Sequence, residues 1–246
     1  MQGVNVDWAD LESTWTLERW GAPLPVLCAI RENTRKEFDC WRSVTELVAS
    51  PLRVKLLREL DHYSAIGKVW AMFAGSLSHA MLEAGGAGQD CEVERRRHVV
   101  IADMKIGMSA DLFSPDTGIL WDYKSTSEQG LKWMLDKGFD KPDVVAQVNL
   151  YACLLRLCDE KVNEAHVFYF SHKESKTWPI PLMPHADALA FLDERIKAHL
   201  RPNPGPCEDR EAFGKDKKTG HPRRCSDYCS ASACGLCEWF AKEKGA

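Results

Sequence analysis

Between residues 91 and 126 apolar and polar positions alternate in three runs, CEVERRRHVVI (91–101), MKIGMSADLFS (104–114) and ILWDYKST (119–126). A period of two puts successive side chains on opposite faces of a sheet, so each run reads as a strand. The stretch SPDTG (114–118) has the chemistry of a tight turn, which predicts that the second and third runs pair antiparallel as a hairpin. Helical spacing marks AIGKVWAMFAGSLSHAMLEAG (65–85), DVVAQVNLYACLLRLC (143–158) and ADALAFLDERIKAHL (186–200). SVTELVASPLRVKLLREL (43–60) reads as two short helices. Ser43 and Glu46 have the spacing of a capping box, and Pro51 restarts the helix. NEAHVFYFS (163–171) reads as a buried strand and TWPIPLM as an edge strand, while RPNPGP (201–206) breaks the pattern as a linker. The order is helices, antiparallel strands, helix, strand, helix. It predicts an α/β (α+β) fold with a central mixed β-sheet flanked by helices on both sides. The chain is expected to divide into an N-terminal segment (1–42), a core (43–200) and a Cys-rich tail (201–246).

Composition adds bounds. The 246 residues are 45% hydrophobic and 28% charged, as in an ordinary globular protein. No apolar run approaches the roughly 18 residues that span a bilayer. The N-terminus lacks a basic start followed by an apolar stretch. A cytoplasmic protein with no membrane partner is therefore expected. The net charge of −4 does not announce nucleic-acid binding. A local basic patch can coexist with it, and carboxylates gathered around a metal would themselves lower the total.

The chemistry centres on ILWDYKSTS (119–127). Asp122 and Lys124, two apart on a strand, share one face. Trp121 and Tyr123 face the other way and are expected to anchor the strand in the core. An ordinary reading is a surface ion pair worth under about 1 kcal/mol. The hairpin, however, would bring Asp111 to the same face as Asp122. Two carboxylates within about 5 Å repel, and a divalent cation such as Mg²⁺ or Mn²⁺ relieves the repulsion. A lysine beside that metal can orient or deprotonate a water and stabilise charge developing on a phosphate.

Ten cysteines are many for a chain without a secretion signal, and a reducing cytosol disfavours disulfides. Cys28, Cys40, Cys91, Cys153 and Cys158 are scattered and read as small buried apolar residues. Cys225-x3-Cys229-x4-Cys234-x2-Cys237 reads as a set of metal ligands, with Cys207 as an alternative fourth ligand in place of Cys237. Four thiolates suit either Zn²⁺ or an iron–sulfur cluster, and spacing alone does not choose between them. Ahead of the cluster, GKDKKTGHPRR (214–224) carries Lys215, Lys217, Lys218, Arg223 and Arg224 against the single acid Asp216. It reads either as a flexible basic loop or as a contact to a DNA backbone.

Asp111-x(10)-Asp122-x-Lys124 resembles the signature of the PD-(D/E)xK nuclease superfamily. GSLSHAMLE (75–83) resembles the G-x-x-x-H-x-x-x-E helix of the RecB-like branch, and QVNLY (147–151) its Q-x-x-x-Y motif. The pieces stand in that branch's order. The resemblance covers about residues 43–240 and extends to CRISPR-associated RecB-like and phage exonucleases with a C-terminal cysteine cluster. It implies a restriction-endonuclease-like core and a Mg²⁺- or Mn²⁺-dependent DNA exonuclease acting on ends or single strands. His79, Asp111, Asp122 and the Tyr123 carbonyl would hold the metal. Lys124 would position the attacking water, and Gln147 and Tyr151 would position the DNA strand or Lys124. Glu83 would support His79 or line the groove. The products would be a 5′-phosphate and a 3′-hydroxyl.

The resemblance also leans the cysteines towards a [4Fe–4S] cluster, with Zn²⁺ as the alternative. Relatives of this type use one early and three late cysteines. This chain has no cysteine near SPLRVKL (50–56), although Cys40 lies slightly before it. The expected setting is recombination, repair or phage DNA processing in a bacterial or phage-infected cell, with a recombination or single-strand-annealing protein as partner. Two alternatives stand: a non-catalytic nucleic-acid-binding module that uses the tail, and a site-specific endonuclease on the same fold.

Overall fold

The computed structural model describes residues 40–59, 90–208, 214–233 and 235–244, with Gly75, Leu77, Ser78, Ala80, Met81, Ala84 and Gly85. The expectations for residues 1–39, for most of helix 65–85 and for Cys28, His79, Glu83 and Cys234 lie outside these residues. The chain divides into two compact units. One comprises residues 37–48 and 74–197, the other residues 1–36, 49–73 and 198–246.

The first unit is a mixed α/β structure with two mixed sheets. One has the order β1-β4-β3, from β1 (Arg42–Ser43), β3 (Arg96–Ile101) and β4 (Met104–Ser109). The other has the order β2-β5-β6-β7-β8, from β2 (Glu92–Val93), β5 (Leu112–Ser114), β6 (Ile119–Ser125), β7 (Glu164–Phe170) and β8 (Ser175–Pro179). Within it β6 and β7 run parallel and their neighbours antiparallel.

Two sheets replace the single central sheet expected, because two of the three alternating runs break midway. The run 91–101 kinks at Glu94, whose φ of 49° is left-handed. The run 104–114 breaks at Ala110–Asp111. The two breaks are tied together: Glu94 N–H donates to the Asp111 carbonyl at 3.2 Å, and Ser109 Oγ donates to the Glu94 carbonyl at 3.1 Å. The expected hairpin is therefore shorter. Only Leu112–Ser114 pairs with Ile119–Trp121, while Met104–Ser109 pairs with Arg96–Ile101 instead. The hairpin turn is fixed by Gly118. Its φ is +70°, and a Cβ there would lie 2.5 Å from the Lys161 carbonyl oxygen.

Of the first five helices, four follow the sequence pattern closely or in part. α1 (Val44–Val48) starts with Ser43 N–H and Oγ both donating to Glu46 Oε2, and Glu46 N–H donating back to Ser43 Oγ, as the capping spacing predicts. α2 (Pro51–Glu59) starts at its proline. α3 (Glu128–Lys137) has no counterpart in the sequence reading. Ser127 caps it by accepting from Gly130 N–H, and Leu131 and Met134 bury its inner face. α4 (Pro142–Leu157) is buried along most of its length, and α5 (His185–Leu200) buries Ala188, Leu192 and Ile196. The edge strand β8 starts two residues earlier than expected and ends at Pro179.

The core lies on the face of β6 and β7 that carries Leu120, Ala165, Val167 and Tyr169, with α4 packed against β6. Asn149 of α4 ties down the chain beyond β8. Its amide donates to the carbonyls of Val145 and Pro181 and accepts from Met183 N–H. In the second unit, Lys55 Nζ of α2 donates to the Pro202 carbonyl at 2.6 Å. Beyond it come a five-residue wide turn (Arg224–Tyr228), α6 (Ser230–Ala233) and α7 (Glu238–Lys244).

Candidate active site

β6 continues past the end of β5, and the site lies on that overhang. Leu120, Asp122 and Lys124 share one face by strand alternation. Parallel pairing sets Ala165, Val167 and Tyr169 of β7 beside them. Asp122 is 0% exposed. A buried carboxylate needs a counter-charge, and Lys124 Nζ supplies it at 2.9 Å from each carboxylate oxygen. Gln147 Nε2 reaches Asp122 Oδ1 at 3.5 Å and donates to Tyr151 Oη at 2.9 Å. Gln147 and Tyr151 are one turn apart on α4, so one helix face delivers both. Asp122, Lys124, Gln147 and Tyr151 thus form one connected network.

Asp111 enters from the break between β4 and β5. It is 8% exposed, and its Oδ2 accepts from Tyr123 N–H. A residue's N–H and C=O leave a strand on the same side. The Tyr123 carbonyl therefore also faces the side from which Asp111 comes. The sequence reading placed Asp111 across a regular hairpin. The structure brings it to β6 through a kink and a backbone hydrogen bond instead.

Trp121 and Tyr123 do not anchor the strand in the core, contrary to the sequence reading. The more deeply buried face is the one carrying Asp122. Trp121 and Tyr123 are half-buried on the other, where Trp121 stacks on His166 at 4.7 Å and Tyr123 meets Phe168 edge-on. The Lys124 counter-charge lets Asp122 occupy the more deeply buried face. Ser125 lies on the aromatic face, and a Cβ on Gly75 would come within 3.1 Å of its Oγ. The start of the GSLSHAMLE segment therefore approaches the end of β6.

The electrostatics follow from burial and proximity. Burial alone would lower the Lys124 pKa, but the charges of Asp122 and Asp111 and the bond to Asp122 outweigh it and hold the ammonium above the ordinary lysine value. Burial pushes the Tyr151 hydroxyl up to about 12, with Asp122 adding to the effect. Burial likewise takes Tyr169 up to about 12. Tyr169 is a site-facing residue that sequence reasoning missed. Its one signal is register, since it pairs with Lys124 across β7.

The second unit holds a thiol cage. Cys207, Cys225, Cys229 and Cys237 line one cavity of about 30 Å³, with Arg224 and Phe240 in its wall. Burial pushes the Cys225 thiol up to about 11, and the three neighbouring thiols Cys207, Cys229 and Cys237 push it the same way. The buried Ser232 hydroxyl finds no oxygen or nitrogen partner among the described residues and sits against the Cys225 thiol. Its O–H can donate to a thiolate there. Among the described residues, no three His, Cys, Asp or Glu side chains stand at metal-coordinating spacing in either unit. Donor chemistry nonetheless suits metals in both places: hard oxygens at Asp111, Asp122 and the Tyr123 carbonyl, soft sulfurs in the cage.

No protein-family profile matches the chain, and no curated protein does. Among solved structures, the chain is similar to SSO0001 with a TM-score of 0.54 at 20% identity, over 85% of this chain and 92% of that one. That likeness is one of fold. Looser likenesses are to an alkaline exonuclease (LHK-Exo) from Laribacter hongkongensis and to a phage-related exonuclease from Haemophilus somnus 129PT. The first has a TM-score of 0.44 at 15% identity, over 64% of this chain and 84% of that one. The second has a TM-score of 0.30 at 10% identity, over 80% and 92%.

Proposed function

We propose that the protein is a divalent-metal-dependent DNA exonuclease of the PD-(D/E)xK kind. The observation that carries this reading is the buried Asp122–Lys124 pair, joined to Gln147 and Tyr151 and met by Asp111 at the Tyr123 backbone. An ordinary surface ion pair would need none of that company. Asp111, Asp122, the Tyr123 carbonyl and His79 are the proposed holders of Mg²⁺ or Mn²⁺. When bound there, the cation supplies positive charge to the scissile phosphate and acidity to a water. Lys124 orients that water and places its ammonium where negative charge develops. Gln147 fixes the rotamer of Asp122, and Tyr151 holds Gln147.

In the tail, Cys225, Cys229, Cys234 and Cys237 are the proposed ligands of a [4Fe–4S] cluster, with Cys207, which lines the same cavity, as the alternative fourth ligand in place of Cys237 and Zn²⁺ as the alternative metal. A visible absorption band in anaerobically purified protein separates the two. The expected substrate is DNA with free ends or single strands, in recombination, repair or phage DNA processing.

The test is digestion of 5′- and 3′-labelled linear and circular DNA with Mn²⁺. The wild type releases label from linear DNA and leaves closed circles intact. Lys124→Ala loses about 10²–10⁴ in rate while still binding DNA. Failure of the wild type to degrade any DNA with Mg²⁺ or Mn²⁺ sinks the reading. Discrete fragments from circles would instead favour a site-specific endonuclease.

A further inference from the structure

The basic stretch ahead of Cys225 is a structured turn rather than an open loop. Residues 214–223 form a small closed hairpin. Asp216 N–H donates to the His221 carbonyl, Gly220 N–H to the Asp216 carbonyl and Arg223 N–H to the Gly214 carbonyl, each at 2.8–2.9 Å. Lys215 and Pro222 bridge its two arms, and Pro222 is buried at its base.

The tip is built around Asp216. Its Oδ1 accepts from Lys218 N–H at 2.9 Å, from Thr219 N–H at 2.8 Å and from Thr219 Oγ1 at 3.1 Å. These bonds hold the carboxylate below its usual pKa range. The only acid of the hairpin is thereby spent on its own backbone. Lys217 and Lys218 stand exposed on the turn, and among the described residues their ammonium groups make no ion pair.

The hairpin is rooted in the thiol cage. The His221 ring packs edge-on against Phe240, which lines the cavity, and Arg224, directly after the hairpin, lines it too. Cys207 precedes the hairpin and Cys225 follows it, so a metal bound by both would close its base.

We propose that this hairpin is a preformed finger for the phosphate backbone of nucleic acid, with Lys217 and Lys218 as its contacts. The inference rests on the DNA-directed reading above for its choice of polyanion. A lysine pair on a fixed turn fits a repeating phosphate, because the ordering cost of the loop is already met in the free protein. Contacts of this kind are sequence-independent and salt-sensitive. They confer affinity and register, and base identity plays no part.

The experiment measures binding of a fluorescent single-stranded oligonucleotide and of its duplex to the full chain, across a salt series without added Mg²⁺ or Mn²⁺. The double variant Lys217→Ala/Lys218→Ala should lower the slope of log affinity against log salt by about 1.5 and weaken binding about tenfold. Lys217→Arg/Lys218→Arg should keep both at wild-type values. Asp216→Ala, which loosens the turn but keeps both charges, should weaken binding with little change of slope. An unchanged slope and affinity in the alanine double variant overturns the proposal, even when the wild type cleaves DNA normally. A lysine-dependent slope in a protein that never cleaves sustains the proposal and sinks only the nuclease reading. Lysine-dependent binding to phosphatidylserine/phosphatidylcholine vesicles, with none to either oligonucleotide, also overturns it.

Discussion

The two candidate sites are assembled by opposite means. The carboxylate site hangs on strands: Asp122 and Lys124 are placed by the alternation of β6, Asp111 by a bond to the Tyr123 backbone, and Gln147 and Tyr151 by one helix face. Its geometry comes from ladders and burial, which exist without any ligand. The thiol cage hangs on short pieces. Cys225 lies on a five-residue turn, Cys229 at its end, Cys237 just ahead of α7, and Cys207 beyond the hairpin. These pieces are short, and a metal held by the thiols as proposed would add to what fixes their arrangement. If each site binds its proposed metal, the carboxylate site should outlast the loss of that metal, and the cage should not.

The largest effect expected from this contrast is at the cage. Structural thiolate sites carry metal-binding free energies on the order of 10 kcal/mol, which reappear as folding free energy. Cys225→Ser should lose the metal proposed for the cage and expose the segment 214–244 to limited proteolysis. Chelating divalent cations with EDTA should leave amide exchange in β6 and β7 unchanged. Full metal content and an unaltered digestion pattern in Cys225→Ser would break the contrast.

A smaller effect tests the ladder side. Gly118 has φ +70°, and an added Cβ would lie 2.5 Å from the Lys161 carbonyl oxygen and 2.7 Å from Asn163 Nδ2. Its own carbonyl accepts from Asn163 N–H at 2.8 Å, so the turn couples β5–β6 to the start of β7. Gly118→Ala should cost about 2–3 kcal/mol in denaturant unfolding of the sheet unit. It should leave the metal content of the cage untouched. A stability loss below about 0.5 kcal/mol would mean that the turn does not fix the strands as argued.

The same contrast explains what could be read from sequence. Strands and long helices announce themselves by local periodicity, and Asp122 with Lys124, or Gln147 with Tyr151, are pairs within one element. The break at Ala110–Asp111 was not legible, because its cause is nonlocal: the Asp111 carboxylate is engaged by the backbone of another strand, and Glu94 is in a left-handed conformation. Helix α3 was hidden by Gly130 in its first turn, a poor helix former. The structure gives that glycine a reason, since a Cβ there would come within 2.6 Å of Thr126 Oγ1. Asn149, inside QVNLY, bridges α4 to the chain after β8, which no helical period records. In the tail, linear spacing favoured the compact Cys225–Cys237 run. The chain between Cys207 and Cys225 includes the hairpin 214–223, and Cys207 lines the same cavity as Cys225.

The smallest expected effect concerns pH and again sets local bonding against a bound ligand. Backbone bonds from Thr219 and Lys218 hold the Asp216 carboxyl below its usual range. A depressed folded-state pKa contributes stability that is fully present above the unfolded value, about 3.9 for aspartate. That contribution is lost as pH falls through the folded value. The tip of the hairpin should therefore stay closed through mild acid and open only below the ordinary aspartate range. The readout is the amide resonances of Lys218 and Thr219 during acid titration. They should remain constant past the point where exposed aspartates titrate, then shift together. In Asp216→Asn that late shift should disappear, because nothing at the tip is left to protonate. If the wild-type amides move at the ordinary aspartate midpoint, the tip is not held by Asp216. If instead they move where acid releases a metal from the thiols, the tip is held through the cage at the hairpin's base and not by Asp216.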